Sequence, residues 1–210
     1  MKIGIIGSGN VGSALGKIWA NNDHKIMFSS RHPESLKGLA KSIGNNACYG
    51  LPAEAAKYGE VVVLSVPWTQ VSEALKSAGS FKDKVLIDCT NPLKPDMSGL
   101  AVGHSTSAAE EVAKAAPGAK VVKAFNTTFA ALMRSPSRTF GSQKATGFYC
   151  GDDSSAKAIV SGLIKETGLE PLDVGPLMCA RYLEPLAMLA MQIAFVRGLG
   201  TEMALGLLRR

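Results

Sequence analysis

Lys2-Ile3-Gly4-Ile5-Ile6 runs directly into Gly7-Ser8-Gly9-Asn10-Val11-Gly12, then an amphipathic segment to Asn21, then Lys25-Ile26-Met27-Phe28. That is a strand, a glycine turn, a helix and a second strand. The spacing gives each glycine its own task. Gly7 makes the tight turn off the strand. Gly9 leaves room for backbone N–H groups to approach a pyrophosphate, and Gly12 lets the helix lie close on the sheet. The helix start adds unpaired N–H donors and a partial positive charge. The stretch therefore reads as a dinucleotide site, with Gly7, Ser8, Gly9, Asn10 and Val11 around the phosphates.

The residues after the second strand choose between dinucleotides. An NAD site puts an acid there, roughly 20 residues past the glycines, to bond the ribose 2′-hydroxyl. Here the chain reads Ser29-Ser30-Arg31-His32, with no acid. A guanidinium pairs with a 2′-phosphate where a carboxylate would repel it. Ser30 adds a hydroxyl donor and His32 adds charge when protonated. The expected cofactor is NADP(H).

Working outward, 210 residues suit one α/β domain with a short appendage, and 46% hydrophobic residues suffice for a sizeable core. The formal charge of +6 is spread without a long basic run, a stacking motif or zinc-finger spacing. It fits phosphorylated cofactors better than nucleic acid. The four cysteines, Cys48, Cys89, Cys150 and Cys179, form no C-x-x-C pair. With no signal peptide ahead of the first strand and charges inside the most apolar segment, Leu183 to Leu208, the expectation is a cytoplasmic protein without a membrane span.

Buried-looking strands recur at Val61–Val66, Lys84–Asp88, Lys120–Ala124, Thr146–Cys150 and Leu169–Val174, and helical segments lie between most of them. Repeated βα units predict a Rossmann-type, doubly wound, mostly parallel α/β sheet. The expected division is a dinucleotide-binding domain over residues 1–178 and a helical segment over 179–210 that contributes to an acceptor pocket and a dimer contact. Leu93–Ser107 and Arg134–Lys144 read as irregular loops, and Ala180–Leu208 as a final helical region. His24 reads as a surface residue.

Ligands of open α/β sheets lie beyond the C-terminal strand ends. Those ends add Ser65, Val66, Pro67 and Trp68, then Thr90-Asn91-Pro92, then Ala124, Asn126 and Thr127 as candidate cofactor contacts. Acid–base machinery is scarce. No Ser-Tyr-Lys set, catalytic histidine or metal-ligand cluster stands out, so no catalytic residue is assigned. Carbonyl reduction needs a proton donor beside the hydride acceptor. Hydride exchange between a nicotinamide and a flavin-type ring needs stacking at the correct distance.

The glycine motif, Ser30-Arg31, Val63-Leu64-Ser65-Val66-Pro67-Trp68, Lys123-Ala124-Phe125-Asn126-Thr127, Cys150-Gly151-Asp152-Asp153 and Pro171-Leu172-Asp173-Val174-Gly175-Pro176-Leu177 together resemble the NADPH-dependent coenzyme F420 reductases. They are also similar to the cytoplasmic oxidoreductase domain of the six-transmembrane ferric reductases. The resemblance covers nearly the whole chain. It implies Ser8, Ser30 and Arg31 on the 2′-phosphate, and a deazaflavin or flavin (F420, FMN or FAD) stacked on the nicotinamide. It also implies a homodimer through the C-terminal region. Pro67-Trp68, Asn126-Thr127 and the turn Gly175 to Leu177 would frame the acceptor pocket. Archaeal members carry a histidine where this chain has Asn126, which leaves the acceptor open. Reduction of a small carbonyl or imine substrate, and a non-catalytic NADP(H) sensor, are the alternatives. Arg134, Arg138 and Lys144 read first as a solvated basic loop and second as a contact for an acidic acceptor tail.

Overall fold

The computed structural model describes residues 1–208. The chain order is β1 (Lys2–Ile6), α1 (Asn10–Asn21), β2 (Lys25–Ser29), α2 (Lys37–Ile43), β3 (Ala47–Gly50), α3 (Pro52–Tyr58), β4 (Val61–Leu64), α4 (Val71–Ala78) and β5 (Val85–Asp88). It continues with α5 (Ala108–Ala115), β6 (Lys120–Ala124), α6 (Ala130–Arg134), β7 (Thr139–Phe140), β8 (Gln143–Lys144), β9 (Thr146–Gly151), α7 (Ser154–Glu166), β10 (Glu170–Asp173) and α8 (Ala180–Met191).

Eight strands form one sheet in the order β10-β9-β6-β5-β4-β1-β2-β3. From β3 to β6 every pairing is parallel, and the order reverses between β1 and β4. That reversal is the crevice where open α/β sheets take ligands. β9 pairs antiparallel to β6, with Val122 opposite Gly151 and Ala124 opposite Tyr149. The connection from Phe125 to Ala145 therefore begins and ends at the same edge of the sheet, the C-terminal edge of the parallel strands. It has no long crossover helix to carry the chain back to the other edge.

Strands covered on both faces read as continuous apolar runs, and alternation sends successive residues to opposite layers. Val61 and Val63 join Leu15 and Trp19 of α1 and Val160 and Leu163 of α7. Val62 and Leu64 join Leu75 of α4, Val112 of α5 and Leu183 of α8. Each such buried side chain contributes roughly 1.5–3 kcal/mol. Trp19 is wholly buried and its indole N–H donates to the Leu163 carbonyl at 3.0 Å. Helix starts are capped as their sequences suggest. Ser107 accepts from the Glu110 N–H, and Asp153 from the Ala156 N–H.

Three expectations need correction. The basic segment after Arg134 is not wholly irregular, because Thr139–Phe140 pairs with Gln143–Lys144 around Gly141 at φ +62°. The final helical region does not reach Leu208. α8 passes into a π turn at Gln192–Val196, and Gly198 and Gly200 at positive φ end it. The tail then returns to β9, where the Thr146 N–H donates to the Leu205 carbonyl at 3.1 Å. His24 is buried, with its Nε2 2.9 Å from the Glu166 carboxylate of α7.

The helical run Leu177–Val196 is long and apolar enough, by length and composition, to cross a membrane. In this fold it lies on the sheet. Leu183 joins the core, Glu184 is buried, and Arg181 pairs with Glu110 of α5 at 2.6 Å.

Candidate active site

The glycine turn folds as its spacing requires. Gly7 takes φ +94°, a conformation that glycine adopts freely. A Cβ on Gly12 would fall 2.6 Å from Ser65 Oγ and 2.9 Å from Ile5 Cγ2, so the close approach of α1 to β1 depends on glycine there. A Cβ on Gly9 would meet nothing within 4 Å. The absence of a side chain at Gly9 serves no contact within the protein, whereas at Gly12 it serves packing. Open space above a helix N-terminus suits an anion drawn up to backbone N–H groups.

Three adjoining clefts run along the C-terminal strand edge. The first, about 320 Å³, is lined by Gly7, Ser8, Gly9, Ser30, Arg31 and Val66, with Ser35 and Glu73 among the others. Ser8 Oγ donates to the Ser29 carbonyl at 3.2 Å, which ties the phosphate turn to the end of β2. The Ser30 hydroxyl accepts from the His32 N–H at 3.1 Å. Arg31 is exposed, and its guanidinium lies 3.7 Å from the Glu73 carboxylate. Such a pair in water is weak and leaves the guanidinium free to turn toward a stronger anion. His32 is exposed and does not line this cleft.

The second cleft, about 480 Å³, lies between Asn10-Val11, the segment Ser65 to Thr69 that follows β4, and the loop after β5. It is lined by Ser65, Val66, Pro67 and Trp68. The third, about 150 Å³, is lined by Val11, Asn91, Asn126, Thr127 and Phe129, and by Ala187, Ala190 and Met191 from the end of α8. Its only ionisable lining side chain is Cys89, among the described residues. Burial first, and the neighbouring Asp88 charge second, push that thiol far up, so it stays protonated.

The strand ends are tightly cross-linked. Asn126 Nδ2 donates to Asn91 Oδ1 at 3.1 Å and to the Leu183 carbonyl at 3.0 Å. Asn91 Nδ2 donates to the Asn126 carbonyl at 2.9 Å. Phe125 between β6 and this clamp sits at φ +63°, a strained conformation for a bulky residue, costing about 1–3 kcal/mol. Its ring packs edge-on against Trp19, centroids 5.8 Å apart. Asn126 Oδ1, Thr127 Oγ1 and Thr90 Oγ1 are buried without a partner among the described residues. Arg134 donates to the Asn10 carbonyl at 3.1 Å and to Asn10 Oδ1 at 2.7 Å, so this member of the basic loop sits at the start of α1. Arg138 turns inward to the Met133 carbonyl.

Besides His32, Ala124 and the turn Gly175 to Leu177 fall outside the three clefts. Ala124 is wholly buried on the α1 side of the sheet, because alternation along β6 turns its side chain into the core on that face. The turn Gly175 to Leu177 lies at the opposite end of β9. There the Gly175 carbonyl accepts from the Gly151 N–H at 3.1 Å and the Leu177 N–H donates to Asp152 at 2.8 Å. Antiparallel β9 carries the chain away from the site edge, and α8 brings it back. The residues from that region that frame the third cleft are therefore Ala187, Ala190 and Met191.

Sequence reading also missed a buried charge cluster beneath the site. Asp88 and Lys123 are direct neighbours in the β5–β6 register. Lys123 Nζ donates to Asp88 Oδ2 at 2.8 Å and to the Thr90 carbonyl at 2.6 Å, and lies 2.9 Å from Glu184 Oε1 on α8. Burial alone would push the ammonium down; the two carboxylates more than reverse this, and its pKa is raised.

The fold, the reversal point and the glycine turn define a dinucleotide-binding fold of the Rossmann type. Residues 2–92 match the family model described as NADP oxidoreductase, coenzyme F420-dependent. The chain is 29% identical over 202 residues to the F420-dependent NADP reductase of Methanocaldococcus jannaschii, covering 89% of each. It is 32% identical over 185 residues to the metalloreductase STEAP3 of Rattus norvegicus, covering 88% of this chain and 36% of that longer protein. The solved structure of a candidate F420-dependent NADP reductase from Arthrobacter sp. FB24 matches all of both chains, with a TM-score of 0.90 and 28% identity. The chain is thus an NADP-dependent oxidoreductase, related to the F420-dependent NADP reductases.

Proposed function

We propose that this oxidoreductase exchanges hydride between NADP(H) and a flavin-type ring, F420 or a flavin, stacked in the third cleft. The observation that carries the reading is the chemistry of that cleft. It offers amides, hydroxyls, apolar side chains and one protonated buried thiol, and no group suited to protonate a carbonyl oxygen. The residues fit the cofactor. Gly9 leaves a cradle above the α1 N-terminus, and Asn126 Oδ1 and Thr127 Oγ1 await partners of the kind a carboxamide or a ring edge provides.

In this reading Ser8, Ser30 and Arg31 hold the 2′-phosphate. Gly7 to Val11 meet the pyrophosphate, Ser65 to Trp68 flank the middle of the cofactor, and Asn126 with Thr127 orient the nicotinamide. NADPH supplies the hydride when bound. The protein's part is to hold two flat rings at reacting distance and to keep water from between them. Val11 and Phe129 on one side, and Ala187, Ala190 and Met191 on the other, form the apolar walls. The exposed apolar side chains of the C-terminal segment, Tyr182, Leu189, Phe195, Val196 and Leu199, are the surface we assign to a second copy of the chain. Light scattering on the purified protein tests that assignment.

The test of function is NADPH oxidation followed at its absorbance band, with F420, FMN and FAD as separate acceptors. Turnover with any of them supports the reading and names the acceptor. Turnover only with small carbonyl or imine compounds overturns it.

A further inference from the structure

We propose that Asp88, Lys123 and Glu184 form a positioning unit that sets α8 against the strand ends and so fixes the spacing of the ring-binding cleft. The inference rests on the acceptor reading above for the identity of what is spaced.

The three side chains come from β5, β6 and α8, and their side chains are at most 1% exposed. All three ammonium protons of Lys123 have acceptors: Asp88 Oδ2, the Thr90 carbonyl and Glu184 Oε1. The remaining carboxylate oxygens are also engaged. Asp88 Oδ1 accepts from the Thr90 N–H at 2.9 Å. Glu184 accepts from the Ala108 and Ala109 N–H groups, at 2.8 and 3.1 Å, at the start of α5. The cluster is fully satisfied, which is the condition for a buried ionic group to hold one geometry.

Its placement gives that geometry a use. Thr90, held by Asp88 and Lys123 together, immediately precedes Asn91 of the amide clamp. Glu184 follows Leu183, whose carbonyl receives Asn126 of the same clamp. One turn further along α8, Ala187 begins the wall of the third cleft. A shift of α8 relative to β5 and β6 would therefore change the width of the cleft and leave the glycine turn and Arg31 where they are. Buried ion pairs are weak sources of net stability, because desolvation offsets their attraction. What the charges add is a single register between helix and strands.

The test is the neutral triple variant Asp88→Asn/Lys123→Met/Glu184→Gln, which keeps acceptors for the Thr90 and Ala108 N–H groups. Lys123→Met alone would strand two buried carboxylates and is expected to misfold. Val160→Ala in α7, a core truncation remote from the cleft, serves as a stability control. The triple variant should bind NADPH as the wild type does and lose about tenfold or more in acceptor kcat/KM, mainly through acceptor KM. Unchanged acceptor kinetics would overturn the proposal. So would a parallel loss of NADPH binding and turnover that Val160→Ala reproduces. If the wild type itself turns over neither F420 nor a flavin, the acceptor reading fails separately. The positioning unit is then read from the fluorescence of bound NADPH, expected to change in the triple variant at unchanged Kd. Identical emission would overturn it.

Discussion

Gly9→Ala separates ligand binding from folding. Gly9 has φ −74° and ψ −153°, a backbone open to any L-residue, and an added Cβ meets no atom within 4 Å. It is also the N-cap of α1, where replacing glycine with alanine costs about 0.5–1 kcal/mol. Restricting the unfolded chain returns about 0.4–1 kcal/mol. The two nearly cancel, so the melting temperature should stay within about 4 °C of wild type. A pyrophosphate oxygen bonded to backbone N–H groups sits about 2.9 Å away and leaves no room for a methyl group. We expect the NADPH Kd to rise about ten- to hundredfold, about 1.4–2.8 kcal/mol. Gly12→Ala is the counterpart. Its Cβ strikes Ser65 Oγ at 2.6 Å and the Gly7 carbonyl, so it should lose about 1–3 kcal/mol of stability before any ligand is added. Calorimetric titration with NADPH beside thermal melts reads both. A folded Gly9→Ala protein with wild-type NADPH affinity would refute the placement of the pyrophosphate.

Two further outcomes follow from charges on the page. Arg31→Glu puts a second carboxylate beside Glu73 in the first cleft; it should weaken NADPH by about 2 kcal/mol or more and NADH far less, and equal losses would remove the 2′-phosphate from this cleft. The Glu110 carboxyl is held below its ordinary range, first by its hydrogen bond from Arg181 and also by that of Ser107. A lowered folded-state pKa adds stability above the unfolded value, about 4.3, that is lost as pH falls through the folded value. The α5–α8 contact should loosen in acid, seen as faster amide exchange in α8 between pH 7 and pH 3, and Arg181→Ala should show that faster exchange already at pH 7.

The N-terminal half was legible because its signals are local. A glycine spacing, a missing acid after β2 and two-sided apolar strands each lie within a few residues. The cleft residues Ser8, Arg31, Val66, Trp68 and Asn126 follow from them. What was not legible depends on partners distant in sequence. Asp88 and Lys123 each read as a lone charge near a strand end. Only the β5–β6 register and the return of α8 bring Glu184 to them. His24 meets Glu166 across 142 residues. The antiparallel entry of β9 carries no compositional mark, yet it sends Gly175–Leu177 away from the site and makes the far end of α8 the cleft wall. The tail misread as helix carries Gly198 and Gly200, whose positive φ shows what those glycines are for.

The distribution of charge argues for the kind of catalysis. Ionisable groups are abundant around the site: Arg31 and Glu73 lie at one end, Arg134 at the start of α1, and Lys123 with its carboxylates beneath. Arg134 and the buried cluster have partners that fix them, while the exposed Arg31–Glu73 pair leaves Arg31 free to turn toward an anion. Among the described residues the third cleft itself receives amides, hydroxyls, apolar surface and one thiol, Cys89, that burial keeps protonated. At its edge the fold tolerates a strained Phe125 and crossed amides from Asn91 and Asn126. A site that moved protons would need a group free to titrate, whereas this one invests its polar contacts in holding backbone and helix in place. On the proposed reading, rate acceleration by such a site comes from the fixed distance between two rings, so substitutions that shift α8 should lower acceptor kcat/KM without altering its pH dependence.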